Sequence, residues 1–291
     1  WKSACGEPIR RESFDPELTN QGLTNQALGA ERLRHVEYRR QRIEIRIMIT
    51  HFSKTSLVKL ILSGLENVPM VSFYAKTRGW PFVIAWLHRI SGILMVLYIW
   101  FHIYTLSFLA TPDAYDAQMK LFGSFPFSLL EWLLAAPIIF HALNGGRLIL
   151  YEIFGSRNDE SMIRWVLGLS ATYFLLLGLL MVMGDQTVSP IFFWLIMFII
   201  CILPSYVVAA KIRTIAGSIT WKLQRISAAY LIVMIPAHLL FMHLQPAVGH
   251  DAGVVIARMQ NIFIKFIDLT LVVGGLYHAG YGLTAIIRDY L

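Results

Sequence analysis

Cysteine is scarce: Cys5 and Cys201 are the whole supply in 291 residues. Two thiols cannot build a disulfide scaffold, an iron-sulfur cluster or a Cys-rich zinc site within the chain, so any metal must rest on histidine. Charge is scarce as well, with 15% of residues Asp, Glu, Lys or Arg and 56% apolar, whereas an ordinary soluble domain carries roughly a quarter charged residues. That balance excludes a water-soluble enzyme. A glycine-rich dinucleotide fingerprint is also missing, so nucleotide-cofactor chemistry is not expected here. The net charge of +7 might suggest nucleic acid, but the basic residues concentrate before residue 80 and the rest is mostly apolar. Membrane topology accounts for the charge, and no nucleic-acid partner is expected.

What the chain has is long apolar runs. A spanning helix needs about 20 mainly apolar residues, and six such runs stand out: Trp80 to Ala110, Pro126 to Phe154, Met162 to Gly184, Val188 to Ala210, Ile219 to Leu244 and Met259 to Leu291. The links TPDAYDAQMK, GSRNDES, GDQT and KIRTIAGS have the Gly, Pro, Asp and Asn content of turns. The expected fold is an all-α membrane protein of six transmembrane helices with an internal parallel repeat, embedded in membrane lipid.

Residues 1–79 differ in kind, being polar and basic, with RRQRIEIRIMI and SLVKLILSGLENV their only periodic parts. They read as a peripheral arm. A mitochondrial targeting remnant fits poorly, because Glu7, Glu12, Asp15, Glu17 and Glu31 are acidic and transit peptides are acid-poor. Beyond the arm the expected parts are a first half over 80–185, a connecting span over 186–216 and a second half over 217–291. With the amino terminus inside, thirteen Lys and Arg before residue 80 and most of those after it fall on the inner side, leaving Lys120, Arg258 and Lys265 outside. That bias places both termini on the inner face, and six spans satisfy the parity.

Overlaying the halves exposes the repeat. Arg89-Ile90-Ser91 returns as Arg225-Ile226-Ser227, 136 residues later. Thirteen residues beyond each Arg stands a histidine, His102 or His238, and 39 and 40 residues further on come His141 and His278. Both copies run in the same order through the membrane, which makes the repeat parallel. A single histidine in a membrane helix is commonly a hydrogen-bonding core residue, but four at repeat-related positions favour ligation. Neutral imidazole is a usual axial donor to haem iron, and bundle cores build such sites from facing helices. Zinc fits poorly, since four histidines at two depths cannot converge on one tetrahedral ion.

Depth pairs the four. If Arg89 and Arg225 mark the inner interface, His102 and His238 lie about 20 Å above it, while His141, six residues before Arg147, lies about 9 Å above it with His278 at the matching level. The expected cofactors are therefore two bis-histidine haems, one between His141 and His278 and one between His102 and His238. Gly145, Gly146, Gly274, Gly275, Gly280 and Gly282 cluster around the lower pair and leave helix surfaces a porphyrin can approach, though small residues also serve plain helix packing.

His88 and Arg89 open the first span, and Arg288, Asp289 and Tyr290 close the last, all on the inner side. They read either as a solvated interface cluster or as a quinone headgroup site at His88, Arg89, Asp289 and Tyr290, where a hydroxyl and a cation bond the carbonyl oxygens. Asp113, Asp116, Glu131 and His243 form a weaker outer alternative. His35, His51 and His250 are assigned no role.

Three segments carry a family resemblance: HRISG at His88 to Gly92, HALNGGR at His141 to Arg147 and HAGYGLTAIIRDY at His278 to Tyr290. Over roughly residues 78–291 they resemble the large and small cytochrome b anchor subunits of succinate dehydrogenase and quinol:fumarate reductase, here joined end to end. Span four supplies the crossing that such a junction needs. The resemblance implies His141 and His278 as haem ligands in single-haem members, His102 and His238 as the further pair of two-haem members, and the terminal Asp-Tyr at the quinone site. Ser227-Ala228 departs by one methyl from the Ser-Gly start that Ser91-Gly92 keeps. The resemblance also implies a third helix in the second half, beyond Leu291.

The function expected on that footing is electron transfer between an iron-sulfur subunit and membrane quinone, with a flavoprotein subunit carrying the succinate chemistry. No catalytic residue for that chemistry is assigned to this chain. The location implied is a bacterial inner membrane, with the mitochondrial inner membrane as the alternative. A hydrogenase or formate dehydrogenase cytochrome b leaves HRISG and RDY unexplained. A transporter with structural histidines is the reading from another class.

Overall fold

The computed structural model describes residues 56–156, 158–184 and 186–290. The greater part of the 1–79 arm, including Cys5, RRQRIEIRIMI, His35 and His51, lies outside the described residues, as does Leu291. All regular structure among the described residues is helical. Six helices are long and apolar enough to cross a membrane: Trp80–Ser107 with a 3-10 turn to Ala110, Phe125–Phe154, Asp159–Met183, Pro190–Ile212, Ile219–Leu244 and Ile262–Tyr290. They are called spans one to six below, and they match the six apolar runs to within a few residues.

Local chemistry sets their ends. Proline occupies the first helical turn of spans one, two and four, where its missing N–H is not needed and its φ suits the helix. Ser218 caps span five by accepting from the Trp221 N–H, and span two ends on Gly155 at φ 68°, a left-handed turn that glycine enters without a Cβ clash. The faces are sorted by solvent. Leu97, Trp100, Val182, Leu203, Tyr206 and Val273 are exposed, as expected of helices whose outer surface meets acyl chains. Phe193, Trp194, Met234, Phe241, Ile264 and Ile267 pack into one core joining spans four, five and six. Spans two and three close on each other where Trp132 donates to the Phe174 carbonyl at 3.0 Å. Gly178 makes room for that indole, since a Cβ there would stand 2.9 Å from it.

The polar links are more ordered than their composition suggests. TPDAYDAQMK is not a turn but most of a helix, Pro112–Phe122, because Tyr115 and Met119 sit four residues apart and bury one face against Ala252 and Val255 of the helix Ala252–Arg258. Tyr115 donates to the Gly249 carbonyl at 2.5 Å and Asp116 accepts from the Ala252 N–H at 2.8 Å. Burial holds the Tyr115 hydroxyl above its ordinary value, with Arg258 drawing it partly back. These two short helices tie the link after span one to the link after span five. Ahead of span one, SLVKLILSGLENV forms the helix Ser56–Glu66, followed by Pro69–Arg78.

Candidate functional site

Spans one, two, five and six face one another and bring the four repeat-related histidines together in pairs. The rings of His141 and His278 lie 6.2 Å apart, centre to centre, with planes at 87°. Those of His102 and His238 lie 6.3 Å apart at 80°. Two imidazoles that reach one metal from opposite sides, each with a nitrogen about 2.0–2.1 Å from it and about 1.1 Å from its own ring centre, have centres about 6.3 Å apart. Both pairs meet that spacing. Among the described residues no group of three or more His, Cys, Asp or Glu converges on a point, so each site offers two protein donors. That donor set suits an iron whose other four ligands come from a porphyrin.

The surroundings of the lower pair fit the same group. A cavity of about 230 Å³ opens between spans one, two, five and six, lined by His141 and His278 and by His88, Arg89, Gly92, Gly145, Gln224, Arg225, Gly275 and Gly282. A Cβ at Gly275 or Gly280 would meet nothing within 4 Å, and one at Gly92 would press the His141 ring at 3.0 Å. Gly146 and Gly274 do another job, lying against Ile232 and Tyr230 of span five. The glycine cluster thus divides into cavity wall and helix contact. Around the upper pair, Tyr98 stacks on His102 at 5.7 Å and Trp194 leans on His238 at 6.3 Å. The His238 Nδ1 is buried without a protein partner.

The ring nitrogens of the lower pair are engaged on one side only. His141 Nδ1 is 3.1 Å from the His88 carbonyl and 3.2 Å from Ser91 Oγ. His278 Nδ1 is 3.5 Å from Ser227 Oγ. The height of the pair also differs from the estimate by spacing. Contact with Ser91 sets His141 about 3 Å above Arg89, two residues at 1.5 Å each. Arg147 is shielded from solvent. Its side chain is 6% exposed, bonded to Asn144 Oδ1 at 2.8 Å and paired with Asp159 at 2.7 Å, so a carboxylate from span three lets it sit inside the protein.

At the end of the bundle where span one begins and span six ends, Arg89 pairs with Asp289 at 3.8 Å, and its guanidinium lies 5.6 Å from the centre of the Tyr290 ring and 5.7 Å from that of Trp86. Trp86 and Tyr290 are themselves 5.2 Å apart. The structure therefore gathers Arg89, Asp289 and Tyr290, and adds Trp86, whose position one helical turn before Arg89 was the available signal. His88 points the other way, stacked on His141 at 3.9 Å and 13°. Arg225, the repeat counterpart of Arg89, pairs with Glu152 at 2.7 Å and lies over Trp221. Of the outer alternative, Asp116 is bonded to backbone at Ala252 and His243 Nδ1 donates to the Leu239 carbonyl at 2.8 Å.

Six helices able to span a membrane, with histidines paired across facing spans, define a multi-pass membrane subunit. Comparison with known proteins gives the family: residues 81–180 and 204–291 match the model of the succinate dehydrogenase/fumarate reductase transmembrane subunit. The chain belongs to that family, as a multi-pass membrane anchor of succinate dehydrogenase or fumarate reductase. It is also 35% identical over 95 residues to the succinate dehydrogenase 2 membrane subunit SdhC of Mycobacterium tuberculosis, covering 31% of this chain and 69% of that one. No solved structure gives a significant match.

Proposed function

We propose that this chain carries electrons between the iron-sulfur subunit of a succinate:quinone oxidoreductase and a quinone in the membrane, through two b haems. His141 and His278 hold the inner haem and His102 and His238 the outer one. The observation that carries the reading is the spacing of the two imidazole pairs, 6.2 and 6.3 Å. When bound, each haem supplies a one-electron carrier. The chain's part is to fix the imidazole donors, keep water from the lower cavity and present quinone at the inner rim. There the Arg89 guanidinium and the Tyr290 hydroxyl donate to the quinone carbonyl oxygens, while Asp289, with a side chain 58% exposed, passes protons in from the inner water. His88, stacked on His141, faces the histidine pair and stands outside that set. Reduction of one quinone takes two electrons and two protons, so a rim open to water beside a buried donor is the arrangement the reaction needs.

The same reading assigns the two anchor halves to 80–185 and 217–291, joined by 186–216, with both termini on the inner face of a bacterial inner membrane. The basic inner side and the arm over 1–79 receive the iron-sulfur subunit, to which the flavoprotein subunit is attached. A reduced-minus-oxidised absorption spectrum with haem stoichiometry on the purified chain tests it. Two haems per chain are expected. No haem band removes both haem sites and leaves the chain an anchor of its family without them, and one haem per chain removes the outer site.

A further inference from the structure

The repeated Ser of the Arg-Ile-Ser triplets has no part in the proposal above, yet both copies touch a ligand ring. In each half the hydroxyl donates to the carbonyl three residues back: Ser91 to His88 at 2.9 Å, Ser227 to Gln224 at 3.0 Å. That spends its single proton, so the lone pairs of Oγ are what face the imidazole. Ser91 Oγ stands 3.2 Å from His141 Nδ1 and Ser227 Oγ 3.5 Å from His278 Nδ1. An oxygen that can only accept selects the tautomer with hydrogen on Nδ1. The lone pair then sits on Nε2, the nitrogen left free for a metal.

We infer that Ser91 and Ser227 are a matched pair of positioning residues that fix the tautomer and ring orientation of His141 and His278 as axial donors. The inference rests on the inner-haem reading. Orienting partners of this kind raise the basicity of a ligand histidine, and their loss typically costs 10–100-fold in metal affinity. A backbone carbonyl stands beside each serine, that of His88 at 3.1 Å from His141 Nδ1 and that of Gln224 bonded to the His278 ring. Loss of either serine therefore leaves the ring N–H with one acceptor in place of two, so the two halves should respond alike.

The test measures two things on the intact complex: the rate at which haem is lost to excess apomyoglobin, and the midpoint potential of the inner haem. Ser227→Ala should speed haem loss about tenfold and raise the midpoint potential, because a less basic imidazole stabilises ferric iron less. A tenfold change in the ratio of ferrous to ferric affinity corresponds to 59 mV for one electron. Ser91→Ala should move both in the same direction by a similar factor, and Ser91→Thr and Ser227→Thr, which keep the hydroxyl, should restore both. If Ser227→Ala holds haem at the wild-type rate and potential, or if Thr fails to rescue, the inference is wrong while the inner haem stands. If the wild-type complex has no haem between His141 and His278, the proposal beneath it fails instead.

Discussion

Arg89 and Arg225 stand at the same point of their spans, and each meets a carboxylate eleven residues beyond a histidine, from His278 to Asp289 and from His141 to Glu152. Yet one pair is open and the other shut. Arg225 and Glu152 touch at 2.7 Å through two guanidinium nitrogens, with side chains 23% and 34% exposed. Arg89 and Asp289 are 3.8 Å apart, 33% and 58% exposed, and lie beside Tyr290 and Trp86. A guanidinium whose fork is already filled by a carboxylate has few donors left for a ligand, while a looser pair keeps them. The difference between the halves therefore separates a structural clasp from a place where a small polar ligand can enter.

The largest effect should come from removing one rung of either histidine pair. His141→Ala is expected to abolish the inner haem and cut electron flow to the outer one, while His102→Ala should halve haem content and leave the inner haem reducible by succinate. Retention of full haem content in His102→Ala, read by absorption, would break the two-level reading. Next come the two arginines. Arg89→Leu should lower quinone turnover tenfold or more while succinate oxidation by a soluble dye continues. Arg225→Leu should leave quinone turnover within twofold and instead lower stability by about 1–2 kcal/mol, the value of a partly exposed charged hydrogen bond, seen as a reduced Tm in detergent. Equal loss of quinone turnover in both variants would erase the contrast between the two pairs.

A smaller effect is expected at the residue after each repeated serine. Gly92→Ala places a methyl 3.0 Å from the His141 ring, so the ring must give by a few tenths of an ångström, and the inner-haem band should shift with modest haem loss. Ala228→Gly, the same exchange reversed in the other half, should leave the band unchanged. Least of all, Tyr115→Phe should cost about 1 kcal/mol through its lost hydrogen bond to Gly249, visible in Tm and absent from every electron-transfer rate.

The six spans were legible because hydropathy over 20 residues is a strong, one-dimensional signal, and the histidine pairs because spacing along a helix converts to height. The helix Pro112–Phe122 was not, because its polar composition looks like a link and only the four-residue spacing of Tyr115 and Met119 marks a buried face. Arg147 misled for a related reason. An arginine near a span's end reads as a solvated residue, whereas Asp159, at the start of the neighbouring span, pairs with it and shields it from solvent. Glu152 was readable in principle from its eleven-residue offset, whereas the Ser91 and Ser227 contacts depend on side-chain rotamers that spacing does not encode.

The separation of the two histidine levels has an electrical side. Ser91, at the height of the lower pair, and His102, in the upper one, are eleven residues apart on one helix, a rise of about 16 Å. That is roughly half of a 30 Å hydrocarbon layer. Charge passing between the levels therefore senses about half the transmembrane voltage, or about 1.2 kcal/mol per electron for each 100 mV. In the proposed topology, with the termini on the negative side, an electron stepping from the lower pair to the upper would be driven by the voltage and the reverse step would be opposed by it. On the two-haem proposal the bundle would act as a dielectric spacer through which the energised state of the membrane biases the direction of electron flow.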